Sequence, residues 1–228
     1  MQNGRYFASD SLEFLNELRD HNEREWFQRN KPRYENRVRD PFLRLISDLG
    51  APLKEISPLF IADPAPTGGS MMRIYRDIRF SPDKSPYKTF VAAHFSHSKG
   101  KDGSAPAYYL HIEPKSSSIG AGIWRPEPPA LAKIRQAIVA NSKRWERVRS
   151  GADFRSSCGM AGESLKRPPA GFDPNHPLIE DIKRKDFAIS LPLTDRQVCG
   201  PELLDTVVEA FHAAAPFVQF LGEAVGLP

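Results

Sequence analysis

The sequence has few cysteines and no long apolar run. Its 228 residues include only two cysteines, Cys158 and Cys199, which lie far apart and form no C-x-x-C pair. This spacing argues against a disulfide framework and against a four-cysteine zinc site. No apolar stretch approaches the roughly 20 residues that cross a bilayer, and residues 1–5 are polar. We therefore expect neither secretion nor membrane insertion, and predict a cytoplasmic protein whose two thiols are not bonded to each other.

The sequence also lacks the motifs of the common nucleotide-binding and hydrolytic folds. It contains no G-x-x-x-x-G-K-[ST], no G-x-G-x-x-G, no H-E-x-x-H and no G-x-S-x-G. Gly120 and Gly122 are too isolated for a phosphate loop and instead predict close packing or a bulge in a strand. A metal cluster of His94 and His111 with Glu113 or Asp102 is a minor alternative. We predict no cofactor, no metal and no identifiable catalytic residue.

What the sequence does contain is the composition and periodicity of a globular domain. Hydrophobic residues make up 40% of the chain and charged residues 26%, which is enough apolar material for a core. Residues 1–50 have helical spacing of apolar side chains, residues 71–124 alternate with a period of two, and residues 127–228 indicate helices with one further strand. We predict a single domain, 1–228, of the α+β class: a mainly antiparallel sheet from the middle of the chain, packed by N-terminal and C-terminal helices.

Individual strands can be placed within this scheme. Four segments of the middle region alternate like strands, at residues 72–76, 89–95, 107–112 and 118–124, and a fifth lies at residues 187–193. The four residues 113–116 are short enough for a hairpin. Residues 51–70 are rich in proline and predict a loop, and Pro41 predicts a kink or a division in the helix that contains it.

Positive charge is concentrated in two stretches of the chain. Residues 71–101 carry seven Lys and Arg against two Asp and Glu, and residues 133–167 carry nine against three. The densest part is the segment from Arg73 to Lys88. Its candidate ligand-binding side chains are Arg73, Arg76, Asp77, Arg79, Asp83, Lys84, Tyr87 and Lys88. Arginine offers a planar fork of donors that fits phosphate or carboxylate, so this pattern favours an anion site.

Alternation assigns different roles to the arginines of this segment. An extended segment would place Arg76 on the apolar face, with Ile74, Ile78 and Phe80. A buried arginine needs a carboxylate partner or an anion, and Asp77 would point to the opposite face. We therefore predict that Arg76 is structural, with a buried partner from elsewhere, whereas Arg79 and Lys84 are exposed toward a ligand.

Three interpretations of the segment remain open. In the first, the protein is a binding module for a phosphate-bearing small molecule, a carboxylate or nucleic acid, with Lys166 and Arg167 as a second basic wall. In the second, it is an enzyme on a small anionic substrate, with proton transfer by Asp77, Asp83, Tyr87 or His176. In the third, the charges form an internal network of ion pairs that holds the fold. The oligomeric state is not predicted.

The same segment also carries a resemblance to a known family. Its pattern, R-x-x-R-D-x-R-F-x-x-D-K-x-x-Y, resembles the signature of a bacterial family called domain of unknown function 2461. The resemblance extends to Asn22-x-x-x-Trp26-Phe27-x-x-Asn30-Lys31-x-x-Tyr34, to Gly120-x-Gly122-x-Trp124-x-Pro126 and to Leu165-Lys166-Arg167-x-Pro169-x-Gly171-Phe172-Asp173. It implies one domain of this length and brings no activity, cofactor or catalytic residue. Independently, the helical spacing of Trp26, Phe27 and Tyr34 predicts core positions.

Overall fold

The structure is a computed structural model that describes residues 4–100, 105–150 and 159–228. The helices of these residues, in chain order, are α1 (Ser9–Asp20), α2 (Arg24–Tyr34), α3 (Asp40–Asp48), α4 (Gly50–Ile56), α5 (Pro128–Ala140), α6 (Ser142–Ser150), α7 (Ile179–Ile182), α8 (Asp195–Val198) and α9 (Leu203–Val225). The strands are β1 (Val91–Ser96), β2 (Ala107–Ile112), β3 (Ser117–Ile123), β4 (Gly159–Ala161) and β5 (Phe187–Leu193).

The five strands form one antiparallel sheet, in the order β1-β2-β3-β5-β4. Helices lie at both ends of the sequence, so the predicted α+β class is confirmed. Strands β2 and β5 coincide with the predicted segments, and the turn between β2 and β3 is the predicted hairpin. β4, which pairs with β5 from Gly159↔Ser190 to Ala161↔Ala188, is a second strand in the C-terminal region, where one was predicted.

The N-terminal helices contain a local irregularity before Pro41. A π-helical turn, Glu35–Arg39, joins α2 to α3, and Pro41 lies in the first turn of α3. A proline there has no N–H to donate to the carbonyl four residues earlier, so the regular ladder is interrupted. The predicted division of this helix is confirmed.

Two other predicted elements are wrong. Residues 50–56 form α4, although their composition predicted a loop that starts at residue 51. Residues 72–76 form no strand, because only the isolated bridges Met71↔Ala93 and Tyr75↔Tyr87 tie this stretch to its neighbours. Alternation in the sequence therefore continues beyond the region where a hydrogen-bonded ladder is formed.

Close contacts group the chain into two compact units, each built from separate stretches. The first unit comprises Met1–Phe95, Tyr109–Ile119 and Pro192–Glu209. Its fully buried aromatic side chains are Phe7, Phe14, Phe27, Phe42, Tyr87 and Phe95. The segment from Arg73 to Lys88 lies entirely in this unit.

The second unit comprises Ser96–Tyr108, Gly120–Leu191 and Ala210–Pro228. Its core is centred on Trp145, which is completely buried and packs against Phe220, with the two ring centroids 5.0 Å apart. The single-domain prediction remains a prediction. The described thiol, Cys199, is free, while Cys158 lies outside the described residues, so the absence of a bond between them also remains a prediction.

Gly122 has a specific reason to be glycine. Its φ is +119°, and a Cβ atom there would lie 2.1 Å from the carbonyl oxygen of Phe187. An L-residue would therefore be strained and would clash with the neighbouring backbone. Close packing, one of the two roles predicted for this glycine, is confirmed.

Candidate functional site

Residues 73–88, here called the 73–88 loop, form a closed loop in the first unit. The amide of Arg76 donates to the carbonyl of Pro86 (3.0 Å), and the amide of Lys88 donates to the carbonyl of Ile74 (2.8 Å). These bonds bring the two ends of the loop together across the Tyr75↔Tyr87 bridge. The fold therefore gathers in space charges that are also close in sequence.

Asn22 fixes this loop to the N-terminal helices. Its amide nitrogen donates to the carbonyl of Tyr87, and its amide oxygen accepts the Tyr87 N–H, both at 3.0 Å. The side chain satisfies both backbone groups of one residue, so it acts like a short strand partner. This accounts for the asparagine that precedes α2.

The ion pair of Arg76 is less buried than the sequence predicted. Arg76 binds the carboxylate of Asp83, and the two side chains are 28% and 59% exposed. Its expected apolar neighbour Phe80 is 92% exposed. The prediction of a buried carboxylate partner is therefore wrong, because the segment is a loop and alternation assigns faces only in a regular strand.

Asp83 is the most constrained acid of the loop. Besides Arg76, it accepts hydrogen bonds from the hydroxyl of Ser85 at 2.6 Å and from the Ser85 amide at 2.9 Å. The Ser85 donors and the Arg76 guanidinium hold the pKa of this carboxyl well below its usual range. A carboxylate that holds its proton so weakly is a poor general base, which argues against the predicted role in proton transfer.

The other predicted acid, Asp77, is occupied in the same way. Arg79 donates to its two oxygens at 2.9 and 2.7 Å, and this pair lowers the pKa of Asp77. Arg79 is 75% exposed, and Lys84 is also exposed while its ammonium donates to the carbonyl of Ile78 at 3.0 Å. The predicted exposure of Arg79 and Lys84 is confirmed.

The cations at the two ends of the loop differ from each other. The Lys88 ammonium donates to the carbonyl of Arg73 at 2.8 Å, and burial, with the nearby charge of Arg73, lowers the pKa of Lys88. Arg73 itself is exposed, and its guanidinium has no hydrogen bond or ion pair with any residue that the structure describes. Most of the positive groups in the loop are thus engaged within it, and Arg73 is not.

Two clefts of the first unit share Arg76 as a wall. The first, here called the Arg24 cleft, has a volume of about 390 Å³, and its lining residues are Arg24, Gln28, Tyr75, Arg76, Ile78, Pro86 and Tyr87. The second, here called the Glu113 cleft, has a volume of about 590 Å³, and its charged lining residues are Arg19, Arg76, Asp77, Asp83, Lys88 and Glu113. The Arg24 cleft has two arginines and no acid, whereas three acids offset three cations in the Glu113 cleft.

The Arg24 cleft also contains the outermost of three aromatic rings that pack in a row. Phe27 and Tyr87 stack with centroids 4.1 Å apart, and Tyr75 follows at 5.4 Å from Tyr87. Phe27 and Tyr87 are buried, but Tyr75 is 51% exposed. The core positions predicted for Phe27 and Tyr34 are confirmed, whereas Trp26, predicted with them, is only partly buried. A ring that packs against another ring on one side and is exposed on the other side is suited to stack on a planar ligand.

The hydroxyl of Tyr87 faces helix α2. It hydrogen bonds with the side chain of Gln28, and burial raises the pKa of Tyr87. A tyrosine with a raised pKa stays protonated at neutral pH and serves as a hydrogen-bond donor or acceptor rather than as a base. Tyr87 therefore contributes to the wall of the Arg24 cleft, and the predicted role in proton transfer has no support from its environment.

A hydrogen-bonded chain of three side chains extends from the Glu113 cleft, and the sequence did not predict it. Nε2 of His111 lies 3.1 Å from the carboxylate of Glu113, and Nδ1 lies 3.2 Å from the hydroxyl of Tyr109. His111 also packs on the ring of Phe90 at 4.4 Å. The available signal was the spacing of 109, 111 and 113, which places alternate residues on one face.

Glu113 connects this chain to the cleft. Its other oxygen accepts from the hydroxyl of Thr89 at 3.3 Å and from the Arg19 guanidinium at 3.5 Å. Nearby, burial raises the pKa of Tyr109, so this hydroxyl keeps its proton. A carboxylate, an imidazole and a hydroxyl in series are the groups that general acid and base catalysis uses.

The remaining predicted side chains lie in the second unit. Lys166 and Arg167 are exposed, and the second basic wall remains a prediction. His176 accepts the amide of Leu178 at 3.1 Å through Nδ1. This bond caps a turn, which accounts for His176 as a structural residue.

The part of the chain that the structure describes has neither a candidate metal site nor a membrane-spanning helix. Across residues 4–100, 105–150 and 159–228, no group of three or more His, Cys, Asp and Glu could hold a metal ion. No helix of the same residues is long and apolar enough to cross a membrane.

Comparison with known proteins gives one match. A family model described as "Conserved hypothetical protein (DUF2461)" matches residues 10–220. This range includes the 73–88 loop, both clefts and most of the second unit. No curated protein and no solved structure matches the chain.

Proposed function

The chain belongs to the DUF2461 family of conserved hypothetical proteins, and we propose that it binds a phosphate-bearing or carboxylate ligand in the Arg24 cleft. The observation that supports this most directly is the charge of the lining, which contains Arg24 and Arg76 but no acid. Arg24 is exposed, and its guanidinium forms no hydrogen bond or ion pair with any described residue. An anion that enters the cleft therefore finds a guanidinium that is already available.

Arg76 provides a second donor without a large rearrangement. A guanidinium has five N–H donors, and Arg76 uses one nitrogen for Asp83, with a longer contact from a second nitrogen to Ser81 at 3.5 Å. The remaining N–H groups are available to a ligand. Charge-assisted hydrogen bonds of this kind are about twice as strong as neutral ones. In this proposal Asp83 orients Arg76, and Arg24 and Arg76 bind the anion.

Calorimetric titration with inorganic pyrophosphate tests the proposal. Arg24→Ala should weaken binding by about tenfold or more, because it removes a charged donor, and should leave the fold unchanged because the side chain is exposed. Arg29→Ala is the matched control, since Arg29 is an exposed arginine on the same helix that does not line the cleft. Equal losses in the two variants would mean unspecific attraction to a basic surface and would refute the site.

A second candidate function is an enzyme that acts on a small anionic substrate in the Glu113 cleft. The specific observation is the chain of Glu113, His111 and Tyr109, which supplies proton-transfer groups next to Arg76 and Lys88. Phosphate release from sugar phosphates and nucleotides is the measurement for this candidate. Glu113→Gln should abolish release and leave pyrophosphate binding in the Arg24 cleft intact. If Glu113→Gln leaves the rate of phosphate release unchanged, Glu113, His111 and Tyr109 do not catalyse it.

A further inference from the structure

Tyr75 lines the Arg24 cleft but has no role in the binding of a simple anion. Half of its surface is exposed, while the two rings behind it, Tyr87 and Phe27, are buried. Large aromatic surfaces are normally removed from water. Here the bridge Tyr75↔Tyr87 holds the backbone, and the ring of Tyr87 packs against one side of the Tyr75 ring, with the two centroids 5.4 Å apart.

The chemistry around this ring matches two parts of one class of ligand. Guanidinium groups bind phosphate, and an exposed tyrosine ring stacks on a nucleic-acid base. The cleft volume of about 390 Å³ lies within the range of about 300 to 1,000 Å³ that is typical of small-ligand sites. The amide of Gln28, on the same wall, can hydrogen bond to the edge of a base.

From this combination, and resting on the proposed function, we infer that the ligand is a nucleoside phosphate whose base stacks on Tyr75 and whose phosphate binds Arg24 and Arg76. A carboxylate ligand without a planar ring would use the arginines and leave Tyr75 exposed. The same chemistry occurs in a free mononucleotide and in one residue of a single-stranded nucleic acid.

Another part of the 73–88 loop bears on these two sources. Phe80 is 92% exposed, lies outside the lining of the Arg24 cleft, and has the guanidinium of Arg79 5.7 Å from the centroid of its ring. A single-stranded nucleic acid that extends beyond the cleft would find a second aromatic and cationic contact in Phe80 and Arg79. A free mononucleotide does not need it.

The test compares AMP with ribose 5-phosphate, which has the phosphate and the sugar but no base. Stacking on an aromatic side chain should make AMP bind about 5- to 100-fold more tightly. Tyr75→Phe keeps a ring and should keep this ratio, whereas Tyr75→Leu should bring it close to one. Phe80→Leu is the matched control, and it should leave the AMP ratio unchanged.

Each outcome separates this inference from the proposed function. If AMP and ribose 5-phosphate bind equally and both depend on Arg24, the base makes no contact. The inference then fails while the anion site stands. If neither these ligands nor pyrophosphate binds, both fail. If Tyr75→Leu loses AMP and ribose 5-phosphate to the same extent, with an unchanged circular dichroism spectrum, Tyr75 does not stack and the inference also fails.

A fluorescent ten-residue oligoadenylate then identifies the source. If the ligand is a single strand, the oligonucleotide should bind at least about tenfold more tightly than AMP. Phe80→Leu should then weaken the binding of the oligonucleotide but not of AMP. The affinity for the oligonucleotide should fall steeply with salt, because binding several phosphates releases counterions. If the ligand is a free nucleotide, the oligonucleotide should bind no more tightly than AMP. Either result agrees with stacking on Tyr75, provided that Tyr75→Leu loses the preference for AMP over ribose 5-phosphate.

Discussion

The charged groups of the 73–88 loop and those buried in the second unit differ in where their partners come from. In the loop, Arg76 pairs with Asp83 seven residues away, and Arg79 pairs with Asp77 two residues away. All four side chains are in contact with solvent. These are therefore surface ion pairs, which solvent screens and which contribute little to the free energy of unfolding.

In the second unit the partners are distant in sequence, and the charges are buried. Arg135, which is 9% exposed, donates to the carbonyl of Ile182 at 2.7 Å across 47 residues. Asp186, which is 4% exposed, accepts the amide of Arg125 at 2.9 Å across 61 residues. A buried polar group that loses its partner destabilises a fold far more than an exposed one. The conspicuous basic motif therefore contributes less to the stability of the fold than the less conspicuous buried charges do.

The largest effect predicted by this comparison is that of Asp186→Ala. Its carboxylate accepts two backbone N–H groups, those of Arg125 and Glu163, both at 2.9 Å. Their loss should lower the free energy of unfolding by about 2–4 kcal/mol, measured by urea denaturation. Asp186→Asn keeps an acceptor oxygen and should lose less. A loss below about 1 kcal/mol for Asp186→Ala would remove the contrast between the two regions.

A smaller effect is expected for Arg76→Ala. The buried partner that the sequence predicted for Arg76 would imply a loss of roughly 3 to 5 kcal/mol, the range for breaking a buried ion pair. Because Asp83 is 59% exposed, we now expect about 1 kcal/mol, together with a clear loss of pyrophosphate affinity. Thermal melting and calorimetry on one sample measure both. A large loss of stability would indicate that Arg76 holds the loop and would shift the site to Arg24 alone.

The pH dependence of stability should show the contribution of Asp83. The pKa of this carboxyl is lower in the folded protein than the value of about 3.9 that an unfolded aspartate has. Its contribution is therefore present at neutral pH and is lost only as the pH falls through the lowered folded value. Melting temperatures from pH 7 downward should decline less in Asp83→Asn than in the wild type. Identical declines would show that Asp83 is not held in the ionised state.

The smallest effects belong to Arg79→Ala and Lys84→Ala. Both side chains are exposed, and their partners lie within the same loop. We expect melting temperatures indistinguishable from that of the wild type, and for Arg79→Ala a binding loss only with oligonucleotide. If either variant unfolds the protein, the loop is structural and the comparison between the two regions is reversed.

Several parts of the fold were predictable because they depend on local pattern. The strands at residues 107–112 and 187–193 match the structure, since alternation of apolar and polar residues fixes which face each side chain takes. The interruption before Pro41 follows from a missing N–H. The family was also predictable, since its signature depends on residue identity at fixed spacing.

The candidate site was predictable only as a segment. Alternation placed Phe80 with Arg76 on a buried face, but without a hydrogen-bonded ladder the backbone turns and Phe80 is exposed. Lys166 and Arg167 were grouped with the loop on charge alone, which gives no information on distance. The role of Asn22 was also missed, because its partner Tyr87 is 65 residues away.

By itself, the sequence determined the class of the fold, the family and the segment in which charge is densest, because composition and period act over a few residues. Only the tertiary structure decided which charged side chains form hydrogen bonds or ion pairs and which cleft carries net positive charge. It also decided that Tyr75 is the exposed member of a row of three aromatic rings. It also brought Glu113 next to Arg19 and Thr89. These outcomes depend on which distant residues are packed together, and that selection is made by the whole core rather than by any local pattern.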